Sequence, residues 1–359
     1  MTEGANTGEI VDRIHGALLG AAIGDAMGAA TELRTREQIL ERFGGEVTTF
    51  VTPPDDTFAR GCPPGQVTDD FSQAYRLATA IVVAGGRMDA AAGRAAILDW
   101  WEDERFQRFA GPTTAAAVRR LRGEEVEEPF FLYRGGQATN GAAMRIAPVG
   151  CVASSADEAI DAAIAVSLPT HDNHLAVAAA AVVAAGVASA IRDGAGTGDR
   201  PFSPVAEACR AAAVPATRRA QELTHTVPGA SIPARLALAL DLAAAAGDVR
   251  EAAERIADVV GCGLKANEAV PAAVGILAAA PDAMSAIVAA VNAGDDTDTV
   301  ATIVGALAGA AAGSTAFPSD LAAAVAERND MDLRALAESL AAVRTTSAAP
   351  ATAGRDGGR

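Results

Sequence analysis

Histidine and cysteine, the usual zinc ligands, are scarce in this chain: four of each among 359 residues. Cys62, Cys151, Cys209 and Cys262 are widely scattered, with no C-x-x-C pair. That excludes a zinc ribbon and a disulfide framework, and fits reduced thiols in a cytoplasmic protein. Aromatic residues make up only 4% and β-branched alternation is scarce, so no stretch reads as a set of strands. Positive charge is in deficit. A formal net charge of −16 repels phosphate backbones at long range, which argues against direct nucleic-acid binding. The longest apolar run, Leu175 to Ile191, is mostly alanine and valine and falls short of the roughly 20 residues that cross a bilayer. It is expected to be a buried helix, with no membrane involved. Met1 to Ile10 is polar and acidic, unlike a signal peptide. G-x-S-x-G elbows, Walker A loops and strand-associated G-x-G-x-x-G turns are missing, and no Cys–His spacing supports a nucleophilic pair.

What the chain does have is alanine and helical periodicity. Apolar spacing predicts helices over Arg13 to Ala29, Ser72 to Ala84, Ala90 to Trp101, Thr113 to Leu121, Ala156 to Ser167 and Leu175 to Arg192. It continues over Ala234 to Ala246, Val249 to Val260, Ala269 to Ala279, Met284 to Asn292, Thr299 to Ala312 and Leu321 to Ala326. The expected fold is all-α: one compact multi-helix domain over residues 10–344, with disordered ends at 1–9 and 345–359. Gly16, Gly20, Gly24 and Gly28 recur every four residues, as do Gly305, Gly309 and Gly313. Each stripe is a helical groove without side chains, and glycine costs about 1 kcal/mol against alanine inside a helix. Close approach of another helix backbone is the expected compensation. Asp25, Glu32, Asp298 and Thr299, at the ends of these helices, would sit on a rigid frame.

Two acidic clusters carry the chemistry. Thr68-Asp69-Asp70 and Gly294-Asp295-Asp296-Thr297-Asp298-Thr299 each precede an apolar, helix-like stretch. Alone, either reads equally as helix capping. Together, packed head to head, they would crowd four or more carboxylates, a charge that one or two hard divalent cations would neutralise. An EF-hand is excluded by the spacing. Gly135-Gly136-Gln137-Ala138-Thr139-Asn140-Gly141 precedes helix-like Ala142 to Arg145 and is either an anion-binding loop or an ordinary flexible connection. In Thr170-His171-Asp172-Asn173-His174, His171 reads as a cap or a substrate contact and His174 as structural. Trp100 and Trp101 read as core.

These blocks, in this order, resemble the ADP-ribosylglycohydrolase family over roughly Arg13 to Gly313. The matching motifs are Gly16-Ala17-Leu18-Leu19-Gly20 through Gly24-Asp25-Ala26-Met27-Gly28 to Glu32; Thr68-Asp69-Asp70; Asn140 to Pro148; Thr170-His171; and Gly294 to Thr299. The resemblance implies a binuclear Mg²⁺ (or Mn²⁺) site held by Thr68, Asp69, Asp70, Asp296, Asp298 and Thr299. It implies hydrolysis at the anomeric carbon of ADP-ribose, freeing it from a modified protein or small molecule. Asp69, Asp70 and Glu32 would be the catalytic carboxylates. Gly135, Gly136, Thr139, Asn140 and Gly141 would contact the diphosphate, and His171 the nucleoside side. Phe71 and Asp295 depart from the common pattern, and Asp295 adds a carboxylate on the substrate side. The departures leave two other readings open: cleavage of a smaller N-riboside such as a nucleoside, or a non-catalytic ADP-ribose-binding or crystallin-like protein. No obligate protein partner is evident.

Overall fold

The computed structural model describes residues 6–126 and 137–347, with side chains described through Arg344. The α-helices in chain order are α1 (Thr7–Gly28), α2 (Arg36–Phe43), α3 (Asp69–Val83), α4 (Ala90–Trp101), α5 (Glu104–Gln107), α6 (Pro112–Leu121), α7 (Ala147–Val152), α8 (Ala156–Ser167) and α9 (His174–Asp193). After them come α10 (Ser203–Leu223), α11 (Ile232–Ala245), α12 (Val249–Val259), α13 (Ala266–Ala279), α14 (Ala283–Val291), α15 (Thr297–Ala312), α16 (Ser319–Asn329) and α17 (Leu333–Ser347). Among the described residues there is no sheet, only isolated bridges such as Arg34 with Asp295 and Thr139 with Lys265.

Side-chain caps set many of the starts. Asp89, Ser155, Asn173, Asp248 and Asp282 each accept a backbone N–H of the following first turn. Asn6 does the same for α1 through the N–H of Glu9, at 3.0 Å, so the helix starts at Thr7, ahead of the expected boundary at residue 10. At the other end α17 runs to Ser347, past the expected boundary at 344. Its buried face, Leu333, Ala337, Leu340, Ala341 and Arg344, keeps helical spacing despite a polar exterior.

Helix α10 contains Pro215, a residue that costs about 3 kcal/mol in a helix interior. It persists because Val205, Ala206, Cys209, Ala212, Ala213, Ala216 and Ala220 form one continuous buried stripe against α9. Helix α9, the expected buried run, is the one helix among the described residues long and apolar enough to cross a membrane, and 94% of that stretch is buried inside the fold.

The frame of the molecule is α1 against α15. The two glycine stripes face each other: a β-carbon on Gly16 would lie 2.3 Å from the Gly309 carbonyl oxygen, and one on Gly20 2.2 Å from that of Gly305. At the end of the seam, a β-carbon on Gly28 would fall 2.4 Å from the Cα of Asp298. Bare backbone on backbone therefore brings the end of α1 onto the start of α15.

Candidate metal centre

Three chain segments meet where α1 ends. The first is the loop after it. The Thr31 hydroxyl bonds the carbonyls of Gly28 and Val291, at 3.0 and 2.8 Å, and the hydroxyl of Thr297, at 2.9 Å. Leu33 then pairs with the loop before α15: its N–H donates to the Asp295 carbonyl at 2.7 Å, and the Asp295 N–H donates to the Arg34 carbonyl at 2.8 Å. Both Leu33 and Asp295 adopt left-handed backbone, φ 63° and 64°. The Arg34 guanidinium donates to the Glu32 carbonyl at 3.0 Å and pairs with Asp56. Glu32 is thus held over the first turn of α15. One carboxylate oxygen each from Glu32, Asp296 and Asp298 lies within 4.8 Å of the others, and all three residues are buried.

The second contribution is the start of α3, which begins at Asp69 with Thr68 as its N-cap, so both aspartates lie in the first turn. Asp25 of α1 fixes that turn. It accepts the Thr68 N–H at 2.9 Å, the Thr68 hydroxyl at 2.8 Å and the Phe71 N–H at 2.9 Å. Asp70 faces the Thr299 hydroxyl, and its other neighbours include Asp69 and Asp296. Third, Asn140 opens a single 3₁₀ turn, Asn140–Ala142, rather than the expected helix over Ala142 to Arg145. Its Nδ2 donates to Asp296 Oδ2 at 2.6 Å.

Packing these carboxylates in a buried place raises their proton affinity. Burial, then the charges of Asp296, Asp69 and Asp25, push Glu32 up to about 8. Burial followed by Asp25 and Asp296 puts Asp69 at about 8, partly opposed by Arg145. Burial lifts Asp25 to about 7 against the pull of its three donors. Asp70 and Asp298 go well above the usual carboxylate range, each chiefly by burial and then by neighbouring carboxylates. The opposing positive charge comes from Arg34 near Glu32 and Arg145 near Asp69. Asp70 Oδ1 is moreover buried with no hydrogen-bond partner, an orphaned acceptor in the middle of an oxygen-only set. Such a donor set suits a hard divalent cation. The cluster can hold a metal ion.

The expected metal ligands Thr68, Asp69, Asp70, Asp296, Asp298 and Thr299 all fall in the first turns of α3 and α15 or their caps. Thr139 Oγ1 lies 3.0 Å from His171 Nε2, and a β-carbon on Gly141 would meet the same ring at 3.2 Å, so this loop and His171 are one unit. Asn173, not His171, caps α9, and burial lowers His171 to about 3. Gly135 and Gly136 lie outside the described residues. Asp295 is exposed and is not one of the three carboxylates, Glu32, Asp296 and Asp298, that come within 4.8 Å of one another. Its carboxylate packs over Gly263, where a β-carbon would come within 2.7 Å of Oδ2. Asp25 was expected only as part of the rigid frame and Asn140 only as a diphosphate contact, and the links through Gln73 and Arg145 have no counterpart in the sequence reading. The signal for Asp25 was its place on the glycine-striped helix.

The ADP-ribosylglycohydrolase sequence profile matches residues 6–350. The chain belongs to the ADP-ribosylglycohydrolase family. Among relatives of this glycohydrolase is an uncharacterized Escherichia coli K12 protein, YegU, 36% identical over 93% of this chain and 97% of its own length. The ADP-ribosyl-[dinitrogen reductase] glycohydrolase of Rhodospirillum rubrum is 32% identical over a shorter stretch, 38% of this chain and 43% of that enzyme. A solved structure titled as an ADP-ribosylglycohydrolase-related protein complex shares the fold with a TM-score of 0.64 and 26% identity, covering 94% of this chain and 99% of that one. The resemblance read from the motifs is therefore a family relationship, and the all-helical bundle is the fold of that family.

Proposed function

We propose that this glycohydrolase is a Mg²⁺-dependent enzyme that cleaves the glycosidic bond at the anomeric carbon of ADP-ribose, releasing it from a modified protein or small molecule. The observation that carries the reading is the delivery of carboxylates to one buried point by two helix starts far apart in sequence, α3 and α15, with Glu32 beside them. Asp69, Asp70, Asp296 and Asp298, with Thr68 and Thr299, are the side chains that would hold one or two cations. When bound, Mg²⁺ supplies Lewis acidity and neutralises the clustered charge.

The remaining roles belong to the chain itself. Fixed carboxylates around the site stabilise the oxocarbenium character that develops as the acceptor departs. Asp69, tethered by the Gln73 amide at 3.3 Å, or Asp70 orients or deprotonates the attacking water. Glu32, on the loop braced by Arg34 and Asp295, assists the leaving group. Thr139, Asn140, Gly141 and His171 form the adjoining wall where the nucleotide part would lie. Four free, buried cysteines fit a reducing cytoplasmic setting.

Purified protein with Mg²⁺ should release ADP-ribose from at least one of ADP-ribosyl-arginine, ADP-ribosyl-serine or O-acetyl-ADP-ribose. Asp298→Asn should abolish that release while leaving the helical circular dichroism unchanged. Full activity in the variant would sink the metal assignment. Release of ribose from simple nucleosides alone would overturn the ADP-ribose reading and keep the fold.

A further inference from the structure

Arg145 is a buried cation that none of these roles uses. It lies in the turn between the Asn140–Ala142 3₁₀ helix and α7, 5% exposed, and among the described residues no carboxylate forms a salt bridge with it. A buried guanidinium without a paired anion is costly unless its donors are well placed. Its two terminal nitrogens point along two different arms. Nη1 donates to Gln73 Oε1 at 2.6 Å, and Gln73 Nε2 donates to Asp69 Oδ2 at 3.3 Å. Nη2 donates to Thr170 Oγ1, which lies 2.9 Å from His171 Nδ1. From there the chain runs through His171 Nε2 to Thr139 Oγ1.

The Gln73 arm has one proton arrangement. Arginine only donates, so Gln73 must turn its oxygen to Arg145 and its amide hydrogens to Asp69. The Thr170 hydroxyl takes the Arg145 hydrogen on a lone pair, and its own proton goes either to the Ser167 carbonyl at 3.2 Å, which already accepts the backbone N–H groups of Thr170 and His171, or to His171 Nδ1 at 2.9 Å. His171 is neutral, since burial and the Arg145 charge both disfavour a second proton. In either arrangement one ring nitrogen donates and the other accepts, so the ring ties Thr170 to Thr139.

We propose that Arg145 is a positioning residue that locks Asp69 of the metal cluster and the Thr139–His171 wall into one register. The inference rests on the proposed function only for the identity of the ligand at that wall, ADP-ribose.

The test is ¹⁵N NMR of histidine-labelled protein, which reports the tautomer of each ring, combined with Mn²⁺ and ADP-ribose titrations by calorimetry. Wild-type His171 should show a single neutral tautomer, unchanged between neutral and mildly acidic pH. Thr170→Val should disturb that pattern and weaken ADP-ribose binding while sparing Mn²⁺. Gln73→Met should do the reverse. Arg145→Lys, which keeps the charge but not the two-armed geometry, should shift the tautomer and weaken both ligands by roughly 10- to 100-fold. The two single-arm variants keep the proposal testable even if Arg145→Lys folds poorly. Wild-type tautomer and affinities in the lysine variant would overturn it. The predicted tautomer and shifts in a protein that hydrolyses no ADP-ribose conjugate would leave Arg145 in place and refute the proposed reaction instead.

Discussion

Replacing Gly309 by alanine is the severest single test of the α1–α15 frame. Taken alone, the change should help: alanine gains about 1 kcal/mol over glycine in a helix interior. The seam reverses the sign. A β-carbon there would sit 1.9 Å from the Gly16 carbonyl oxygen and 2.4 Å from its carbonyl carbon. An ordinary carbon–oxygen contact is about 3.3 Å, so the helices must part by roughly 1.4 Å. Neither obstacle is a flexible side-chain end; both are backbone. A gap of 0.5–1 Å already forfeits about a quarter to a half of each dispersion contact along the seam. Overpacking of this kind costs about 1–3 kcal/mol, and the upper end applies here. Net destabilisation of roughly 2 kcal/mol is expected in urea denaturation followed by circular dichroism. Gly16→Ala should behave alike, and the double variant should cost less than the sum, since the first β-carbon has already opened the gap. Unchanged or raised stability in Gly309→Ala would refute the close-packed seam.

Metal-free protein should lose stability as pH rises from about 5 to 8. Glu32 and Asp69 (about 8) and Asp25 (about 7) hold protons in the fold that the unfolded chain has already lost. Each contributes stability that is complete below the ordinary carboxylate range and vanishes as pH climbs through its raised value, at most about 1.4 kcal/mol per pH unit. Excess Mg²⁺ should flatten or reverse the trend, because a cation replaces the protons; a melting temperature that is flat or rising without metal would contradict this. Asn140→Ala removes the 2.6 Å bond to Asp296 Oδ2 and should weaken Mn²⁺ about tenfold by calorimetry with little change in stability. Wild-type affinity there would mean that Asn140 does not orient the carboxylate.

Much of the fold is legible in the sequence, because alanine-rich apolar spacing and short polar punctuation mark most helices. What escaped has identifiable causes. Pro215 and a polar exterior hide α10, although the stripe from Val205 to Ala220 was there to be counted. The polar surface of α17 keeps it out of the predicted helices and puts its last residues, 345–347, in the expected tail. The glycine stripes announce a close helix contact but do not say that they meet each other, which only the packed structure shows. Both acidic clusters were legible as helix starts, and their convergence was expected only if cations neutralise the crowded charge. The orientation of single groups did not. Asp295 reads as one more carboxylate beside the cluster, yet its left-handed backbone spends it on pairing with Leu33 and Arg34 and leaves the side chain exposed over Gly263. Spacing within an element likewise says nothing about Asp25 reaching from α1 to the cap of α3, or Arg145 bridging Gln73 and Thr170.

The central claim is that the starts of α3 and α15 build one cation site. A Mn²⁺ titration followed by electron paramagnetic resonance on the wild type, Asp70→Asn and Asp298→Asn tests it most directly. If the clusters share their cation, removing a carboxylate from either helix weakens all high-affinity Mn²⁺ binding by about tenfold or more, with the helical spectrum intact. Mn²⁺ still bound at wild-type affinity in either variant would show that the two clusters act separately, and would contradict the account.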